Sequence, residues 1–295
     1  MEPRVEVAPV VNWHLWAPCN YRCKFCFVPM TEIPGHLNRS SSLRLVGELR
    51  RAGVEKLTFV GGEPTLHPWL DDLLWEARYR GLVTCLVTNG TGITRGFLDR
   101  CGDALDWVGL SIDSASEETE AALGRGQGNH VSKALAAAAL VKEYSIKLKV
   151  NTVVTSLNWG EDMGSLICHL SPQRWKVFQM LVVRGENDAA APTLQTTPAQ
   201  FDRFLRRHAR LGPVAEDNEA MIASYAMVDP LGRFFQNSPF GYRYSAPILQ
   251  VGVRAALAQV GWDRAKFIQR GGSYRWGEGR PWVGAQTPRR APMEG

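Results

Sequence analysis

The stretch Val11-Asn-Trp-His-Leu-Trp-Ala-Pro-Cys19-Asn-Tyr-Arg-Cys23-Lys-Phe-Cys26 joins a β-rich run to three closely spaced cysteines. Residues 11–16 predict a buried strand, because apolar and β-favouring side chains dominate the run. The cysteines follow this strand at once, at the edge where barrels of parallel strands build their active sites. Three thiolates within eight residues can surround one metal centre. The stretch therefore predicts both a first strand and a metal site.

The number of cysteines narrows the kind of metal site. A structural zinc ion needs four protein ligands, and His14, the nearest candidate, lies on the strand rather than in the loop. Iron-sulfur clusters are likewise usually held by four cysteines. Three cysteines leave one iron open to an exogenous chelator. We therefore prefer a [4Fe-4S] cluster with a bound small molecule, and a zinc or plain structural site is the alternative.

Composition places the chain among globular enzymes. Its 295 residues are 45% hydrophobic and 21% charged, which allows a sizeable core. The net charge of +5 is modest, and the sequence contains no long run of like charges, so we expect no nucleic-acid partner. We expect no membrane partner and a cytoplasmic location, because no signal-like start or membrane-length apolar run occurs. Cys85, Cys101 and Cys168 are scattered singly, which also favours a reduced compartment.

Six β-rich runs alternate with helical segments up to about residue 180, which is the pattern of parallel β/α units. The predicted strands are 11–16, 56–60, 84–88, 107–112, 147–154 and 175–181. The predicted helices are 42–52, 68–80, 94–100, 131–144 and 159–170. No convincing seventh or eighth unit follows. The pattern predicts an α/β fold, a partial (β/α)6 TIM-like barrel whose side is open.

The predicted domain organisation places this barrel at residues 11–181, after an N-terminal extension at 1–10. A C-terminal extension, 182–276, is expected to cover the open side and to contribute to the substrate site. It contains predicted helices at 198–210, 248–260 and 264–269, a short strand at 225–228, and a loop through Glu216 and Asn218. Residues 277–295 are rich in Gly, Pro and Arg without periodicity, so we expect a flexible tail.

Further candidate residues lie at the ends of the predicted strands. Gly61-Gly62-Glu63-Pro64 directly follows the second strand, and Asn89 and Ser111 end the third and fourth. Glycines allow the backbone to approach a ligand closely. Because the carboxyl ends of parallel strands meet at one mouth, we expect these residues beside the cysteines. An ordinary turn, and capping roles for Asn89 and Ser111, are the alternatives.

Cationic residues alternate with apolar ones along the fifth and sixth predicted strands. Lys147, Lys149 and Asn151 share one face of the fifth, and Arg174 and Lys176 share one face of the sixth. Helices cover the outer face of a barrel, so the cations are expected to point inward. Unpaired buried cations are costly, which implies a bound polyanion or compensating carboxylates. A triphosphate is our preferred occupant, and cations at solvated strand ends are the alternative.

Several passages together resemble the viperin family of radical S-adenosylmethionine enzymes, particularly its non-animal members. The resemblance runs from about residue 11 to residue 276. The CxxxCxxC motif has Phe25 at the position where the superfamily places an aromatic residue. The other matching passages are Asn12 ahead of the motif, Gly-Arg-Gly-Gln-Gly from Gly124, Arg174-Trp-Lys-Val-Phe-Gln, Arg184-Gly-Glu-Asn, Ser224-Tyr225 and Arg270-Gly-Gly-Ser-Tyr-Arg-Trp276.

The resemblance implies a role for each candidate residue. It implies that a [4Fe-4S] cluster is held by Cys19, Cys23 and Cys26. The implied S-adenosylmethionine contacts are Gly61, Gly62, Glu63, Asn89, Ser111 and Arg125, the last pairing with the methionine carboxylate. The implied nucleotide contacts are Asn12, Lys56, Lys149, Asn151, Arg174, Lys176 and Tyr225, with the cations on the triphosphate. Tyr225 would approach the ribose as the catalytic residue that assists quenching of the substrate radical.

The implied reaction is a lyase-type dehydration of CTP. The reduced cluster cleaves S-adenosylmethionine, the 5′-deoxyadenosyl radical removes the 4′ hydrogen, and the 3′ hydroxyl leaves as water. An electron and a proton complete 3′-deoxy-3′,4′-didehydro-CTP, an antiviral chain terminator. The implied partners are a nucleoside triphosphate, CTP first and UTP second, and an electron donor for the cluster. We expect a monomer.

Three departures from the animal pattern limit what the resemblance implies. No N-terminal amphipathic helix is expected, so membrane attachment is not carried over. The basic C-terminal tail ends in Met-Glu-Gly, which removes the inference of iron-sulfur delivery partners. Val60 stands where animal members have Ser, so the preferred base stays open.

Two other functions remain as alternatives. One is a different radical S-adenosylmethionine activity, such as peptide modification or cofactor biosynthesis. Peptide modifiers usually carry further cysteine clusters, whereas no cysteine follows Cys168. The other is a non-catalytic metal-binding module, for which inward cations have no purpose.

Overall fold

The computed structural model describes residues 6–28, 30, 32–238, 241–274 and 276. The expected flexible tail at 277–295 lies outside the described residues, as does half of the predicted N-terminal extension. Within them, ten strands form one sheet: β1 Val10–His14, β2 Lys56–Val60, β3 Val83–Thr88, β4 Trp107–Ser111, β5 Lys147–Val154, β6 Arg174–Gln179, β7 Val214–Glu216, β8 Ala226–Val228, β9 Arg233–Ser238 and β10 Gly241–Pro247.

Helices connect most of these strands. The α-helices of the described residues are α1 Arg39–Ala52, α2 Leu70–Tyr79, α3 Arg95–Cys101, α4 Glu117–Ala122, α5 His130–Glu143, α6 Gly164–Leu170, α7 Ala191–Leu194, α8 Pro198–Arg207, α9 Asn218–Met221, α10 Ile248–Val251, α11 Val253–Ala258 and α12 Arg264–Gln269. Short 3-10 turns lie at Pro64–Leu66, Gly102–Ala104, Asp188–Ala190 and Ala209–Leu211. No helix among the described residues is long and apolar enough to cross a membrane.

The centre of the sheet has the predicted α/β architecture. Strands β1 to β6 lie side by side in chain order, all parallel, with at least one helix between each consecutive pair. The strands predicted at 56–60 and 147–154 have the predicted bounds, and the other four differ by one or two residues. Burial alternates along β5, as a strand with helices on one face and a cavity on the other requires.

The sheet is wider than the six predicted strands. Its full order is β10-β9-β8-β1-β2-β3-β4-β5-β6-β7, in which β7 is parallel to β6 and β8 is parallel to β1. The prediction of a loop through Glu216 and Asn218 was wrong, because Glu216 ends β7 and Asn218 begins α9. β7 has three residues, which are too few to show an alternation in the sequence. The antiparallel strands β9 and β10, which extend the sheet beyond β8, were not predicted.

The helix predicted at 159–170 begins later than expected, at Gly164. The Asn158 side chain explains the delay, because it accepts a hydrogen bond from the Thr155 backbone N–H at 2.6 Å. Its amide group also donates to the carbonyl oxygens of Asp113 and Val153, at 2.7 and 2.9 Å. These bonds hold the chain in a turn where apolar periodicity alone predicts a helix.

Candidate active site

One cavity of about 780 Å³ lies against the inner face of the sheet. Along β5, Lys149, Asn151 and Val153 line it, while the residues between them are buried on the opposite face. All sixteen predicted site residues line this cavity: Asn12, Cys19, Cys23, Cys26, Lys56, Gly61, Gly62, Glu63, Asn89, Ser111, Arg125, Lys149, Asn151, Arg174, Lys176 and Tyr225. Lys147 is not part of the lining, and its ammonium lies 5.3 Å from the centre of the Trp107 ring.

The three cysteines occupy the loop that follows β1, and each is partly exposed. The Tyr21 N–H lies 3.4 Å from Cys19 Sγ, and the Cys26 N–H donates to the Cys23 carbonyl oxygen at 3.1 Å. Burial raises the pKa of the Cys23 thiol to about 12, although the nearby Arg125 guanidinium opposes the shift. A thiol in this environment becomes a thiolate when a cation such as iron offsets its desolvation.

A second loop holds the cysteine loop in place through its backbone. The Arg22 N–H donates to the Gly124 carbonyl oxygen at 3.1 Å, and the Lys24 N–H donates to the Leu123 carbonyl oxygen at 2.9 Å. Gly124 has a φ of +82°, and a Cβ there would lie 2.2 Å from the Arg22 carbonyl oxygen. This glycine is therefore required by the close approach of two backbones.

Gly62 is required by the cysteine loop for the same reason. A Cβ on Gly62 would lie 2.2 Å from the Pro18 carbonyl oxygen and 2.3 Å from that of Ala17. The Gly62 and Glu63 N–H groups donate to the carbonyl oxygens of Trp16 and Pro18, both at 2.8 Å. The end of β2 and the start of the cysteine loop are thus one hydrogen-bonded unit.

The Glu63 carboxylate joins the end of β2 to the end of β3. Its Oε1 accepts hydrogen bonds from the Thr88 hydroxyl at 2.7 Å and the Thr65 N–H at 3.0 Å, and its Oε2 accepts from the Asn89 N–H at 2.8 Å. Burial raises the pKa of Glu63, although these hydrogen bonds oppose the rise. The side chain therefore organises the loops around the cavity.

Asn89 and Ser111 are tied to the cysteine loop from two directions. The Asn89 side chain donates to Asn20 Oδ1 at 2.7 Å. The His130 ring lies between the Ser111 carbonyl oxygen, 2.8 Å from Nε2, and the Tyr21 hydroxyl, 3.3 Å from Nδ1. Burial lowers the pKa of His130 to about 4, so the ring is neutral at pH 7.

Arg125 lies between two buried carboxylates and an aromatic ring. Its Nε is 2.6 Å from Asp113 Oδ2 and 3.6 Å from Glu120 Oε2, and its guanidinium lies 5.5 Å from the centre of the Phe25 ring. Burial, with the repulsion from Asp113, raises the pKa of Glu120 to about 8. We call Arg125, Gly61, Gly62, Glu63, Asn89, Ser111 and the cysteine loop at 17–28 the cysteine end of the cavity.

The cavity also has a cation end, which we define as Lys56, Lys149, Arg174, Lys176 and Arg270. Glu216 forms ion pairs with Lys176 and with Arg270, the latter at 3.4 Å. The Tyr225 hydroxyl donates to Glu216 Oε2 at 2.5 Å and accepts from the Lys176 ammonium at 2.6 Å. Glu216 is thus a fully buried carboxylate that compensates two of these cations.

The segment after α12 packs against two other cations. The Arg174 guanidinium donates to the Gly271 carbonyl oxygen at 2.7 Å and lies 4.1 Å from the centre of the Tyr274 ring. The Lys56 ammonium donates to the Tyr274 hydroxyl at 2.5 Å and also lies 5.2 Å from the centre of the Trp107 ring. Both cations are therefore fixed by aromatic faces and neutral oxygens.

Several polar atoms in the cavity point to a ligand. Lys149 has room to extend because Gly109, its partner across the β4–β5 pair, has no side chain; a Cβ there would lie 2.9 Å from Lys149 Cε. Buried polar atoms with no hydrogen-bond partner among the described residues occur on four lining side chains: His14 Nδ1, Asn151 Oδ1, Arg174 Nε and Asn237 Oδ1. Buried polar groups in proteins are normally satisfied, so a bound molecule is expected to satisfy these.

Comparisons with known proteins identify the family. The model of the Radical SAM superfamily matches residues 17–163. The S-adenosylmethionine-dependent nucleotide dehydratase of Flammeovirga pacifica is 42% identical, over 92% of this chain and 97% of its own length. The chain belongs to this dehydratase family. An archaeal relative from Thermoplasmatales is 34% identical over 90% of this chain, and the Danio rerio dehydratase RSAD2 is 34% identical over 90% of this chain and 77% of its own.

Solved structures share the fold of this dehydratase. Streptococcus suis SuiB bound to S-adenosylmethionine superposes with a TM-score of 0.63 at 15% identity, over 77% of this chain and 60% of SuiB. The enzyme anSMEcpe with bound AdoMet and a peptide superposes with a TM-score of 0.66 at 18% identity, over 88% and 84% of the two chains. At this identity the likeness concerns the fold alone, and it confirms the predicted partial radical SAM barrel.

The residues at the cysteine end fit the cofactors of a radical SAM dehydratase, a [4Fe-4S] cluster and S-adenosylmethionine. Among the described residues, no three His, Cys, Asp or Glu side chains converge on a single metal position. A cluster does not require such convergence, because each thiolate binds a different iron. Cys19, Cys23 and Cys26 would hold three irons, and the surrounding cavity leaves room beside them for a cofactor.

Sequence reasoning missed part of the cation end. Glu216 and Tyr274 contact the predicted cations, and Arg270 pairs with Glu216, but none of the three was among the predicted site residues. The passage from Arg270 to Trp276 was singled out for its resemblance, which was the available signal for Arg270 and Tyr274. Glu216 had no such signal, because its role depends on β7 lying beside β6.

Proposed function

We propose that this dehydratase converts a nucleoside triphosphate, CTP first and UTP second, to its 3′-deoxy-3′,4′-didehydro analogue. The observation that carries the proposal is that one cavity contains both the cysteine end and the cation end. The cysteine loop follows the C-terminal end of β1, whereas Lys56 and Arg174 open their strands. A substrate with a ribose near the cysteines and phosphates on the cations would fill this arrangement.

The cations are proposed to bind the triphosphate. Lys56, Lys149, Arg174 and Lys176 line the cavity from three strands, which suits an anion that needs positive charge from several directions. Arg174 Nε has no hydrogen-bond partner in the part of the chain that the structure describes, and it is a donor that phosphate oxygens would satisfy. This supports the proposed substrate class without distinguishing the base.

Asn12, Asn151 and Tyr225 are proposed to contact the nucleoside part. Asn151 Oδ1 is buried without a hydrogen-bond partner among the described residues, so a ribose hydroxyl is a suitable donor to it. Tyr225 comes from the segment 182–276, as do the lining residues Arg270 and Tyr274. This supports the predicted contribution of the C-terminal extension to the nucleotide site.

The cysteine end is proposed to position S-adenosylmethionine. When bound, the cluster and S-adenosylmethionine supply a 5′-deoxyadenosyl radical that removes the 4′ hydrogen of the substrate. Burial opposes the charge on Arg125, but the Asp113 carboxylate raises its pKa above the usual value and keeps it charged. A charged Arg125 is suited to the methionine carboxylate, as Gly61, Gly62, Glu63, Asn89 and Ser111 are to the remainder of the molecule.

The proposed biological setting follows from the sequence rather than from contacts in the cavity. An antiviral role for the product, an electron donor for the cluster, a monomeric state and a cytoplasmic location stay predictions from the sequence. The peptide-bound structural neighbours share the fold alone, so they do not favour peptide modification. No contact in the described residues favours a second function over nucleotide dehydration.

The test compares nucleotides on the reconstituted enzyme. The cluster is rebuilt anaerobically, dithionite and S-adenosylmethionine are added, and the yield of 5′-deoxyadenosine is measured with CTP, UTP, GTP, ATP or no nucleotide. We expect CTP to raise the yield most and its product to have lost one water by mass spectrometry. Cytidine is the matched control for the phosphates and should not raise the yield. If no nucleoside triphosphate does so, the proposal fails.

A further inference from the structure

Glu216 is a buried carboxylate for which the proposed reaction has no use. It is 0% exposed and lies behind Lys176 and Tyr225, which line the cavity while Glu216 does not. Its two oxygens have different partners: Oε1 faces the Lys176 ammonium and the Arg270 guanidinium, and Oε2 accepts the Tyr225 hydroxyl. Burial acts to raise the pKa of Glu216, but the two cations outweigh it, so the carboxylate is ionised at neutral pH.

The same cations face the space proposed for the triphosphate. Burial lowers the pKa of Lys176, but the Glu216 carboxylate paired with it opposes that shift and favours the charged ammonium. With Lys176 and Arg270 charged, two cations and one carboxylate leave this group with a net positive charge, and the neutral Tyr225 adds none. The Arg270 guanidinium lies 3.6 Å from the centre of the Tyr225 ring, so all four side chains form one packed unit. An anion that enters the cavity meets Lys176 and Arg270 while Glu216 is already paired with them.

We propose that Glu216 is a positioning residue that holds Lys176, Arg270 and the Tyr225 hydroxyl in place before the substrate binds. The inference rests on the proposed function, because it takes a nucleoside triphosphate as the ligand of Lys176. Glu216 lowers the affinity of the site for phosphate, since its negative charge opposes a second anion nearby. Glu216 also fixes the orientation of the Tyr225 hydroxyl, which donates to Glu216 and accepts from Lys176.

An amide cannot replace this carboxylate. Glutamine has one acceptor oxygen, so its NH2 group would face either the two cations or the Tyr225 hydroxyl. Glu216→Gln therefore removes a buried negative charge and also one of the two fixed contacts. The lost charge should strengthen phosphate binding, and the lost contact should slow turnover. This combination is specific to the proposed role of Glu216.

Binding is measured first, on the reconstituted enzyme without reductant so that no turnover occurs. Calorimetric titration with inorganic triphosphate should show roughly tenfold tighter binding for Glu216→Gln than for the wild type. Glu219→Gln is the matched control, because Glu219 is an exposed acid three residues away that pairs with Lys266. It makes the same charge change outside the cavity and should leave the affinity within about twofold.

Turnover is measured next, with CTP and reductant. Glu216→Gln should lower kcat by roughly tenfold while KM falls or stays constant, because the hydroxyl of Tyr225 loses its orientation. A double variant with Tyr225→Phe should show no further loss of kcat beyond Tyr225→Phe alone. A purely structural role would instead raise KM and lower kcat together, and would add to the effect of Tyr225→Phe.

Glu216→Asp covers the case in which Glu216→Gln does not fold. It keeps the charge and shortens the side chain, so its affinity for inorganic triphosphate should stay within about twofold of the wild type while kcat falls. Unchanged or weaker triphosphate binding by folded Glu216→Gln would overturn the inference, as would tighter binding by Glu216→Asp. If the wild type binds neither inorganic triphosphate nor CTP, the proposed function fails as well, and the two failures are thereby distinguished.

Discussion

The cysteine end and the cation end of the cavity are held together in different ways. At the cysteine end, most contacts involve the backbone: Gly62 bonds to the cysteine loop, and Glu63 accepts from the Thr65 and Asn89 N–H groups. At the cation end, side chains from distant segments bond to each other, as Lys176 does with Glu216. The cofactor end is therefore fixed by the folding of adjacent loops, whereas the substrate end depends on a balance of buried charge.

This difference predicts how the two ends respond to substitution. A change at the cysteine end should disturb the cofactors and the local backbone together. A change at the cation end should alter nucleotide binding while the cofactors remain bound. Neighbouring charges at the cation end should also couple to each other more strongly than backbone contacts do.

Loss of a cysteine should have the largest effect. Cys23→Ala removes one of the three thiolates expected to hold the cluster, so we expect no visible cluster absorbance, no bound iron and no detectable 5′-deoxyadenosine. Cys168→Ala is the matched control, because that cysteine is exposed and lies outside the cavity lining. A Cys23→Ala protein that still cleaves S-adenosylmethionine would contradict the assignment of the cysteine end.

Removal of a cation should weaken nucleotide binding without weakening cofactor binding. Lys176→Ala leaves Glu216 without its nearest cation and removes a proposed phosphate contact, so the affinity for CTP should fall by about 100-fold, or about 3 kcal/mol. Binding of S-adenosylmethionine should stay within about twofold, because Lys176 does not contact the cysteine end. Lys266→Ala is the control, since Lys266 pairs with Glu219 away from the cavity. Equal loss of both affinities would remove the distinction between the two ends.

The sequence predicts the cysteine end better than the cation end, for a physical reason. Cys19 to Cys26, Gly61 to Glu63 and Asn89 each follow a strand and Ser111 ends one, and parallel strands bring such positions to one edge whatever the detailed packing. The inward direction of Lys149 and Lys176 also follows from strand alternation, which depends on local geometry alone. These features can be predicted from the order of the strands and the alternation of side chains along each strand.

The partners of the cations could not be predicted in the same way. Glu216 reaches Lys176 because a three-residue strand pairs with β6, and Tyr274 reaches Lys56 from 218 residues further along the chain. Neither contact leaves a periodic pattern in the sequence. The sequence also did not show why position 62 must be glycine, because the Pro18 carbonyl oxygen that excludes a Cβ belongs to another loop.

A glycine substitution should test the backbone connection at the cysteine end. Gly62→Ala places a methyl group against two carbonyl oxygens, so we expect about 2 kcal/mol lower stability in urea unfolding and less cluster incorporated. Gly96→Ala is the control, because a Cβ there meets nothing within 4 Å and the residue lies in α3. Alanine should raise stability slightly at that helical position. Equal effects of the two substitutions would show that the close contact at Gly62 is unimportant.

The pH dependence of stability should also differ between Glu120 at the cysteine end and Glu216 at the cation end. The pKa of Glu120 is raised from 4.5 to about 8 by burial and by Asp113, so its protonated form is favoured in the folded chain. The contribution of Glu120 to stability is therefore present below pH 4.5 and is lost as the pH rises towards about 8. The pKa of Glu216 is lowered, so its contribution is present above pH 4.5 and is lost only as the pH falls through the lowered value.

Urea unfolding of the wild type, Glu120→Gln and Glu216→Gln between pH 5 and pH 8 would separate these two cases. The stability of the wild type relative to Glu120→Gln should fall by up to about 1.4 kcal/mol per pH unit, the limit for one proton. The stability of the wild type relative to Glu216→Gln should stay nearly constant, because Glu216 is already ionised throughout this range. The contrast arises because Glu120 and Asp113 share the one Arg125 guanidinium, whereas Glu216 alone faces two cations. Parallel pH profiles for the two variants would show that the two ends do not differ in their balance of charge.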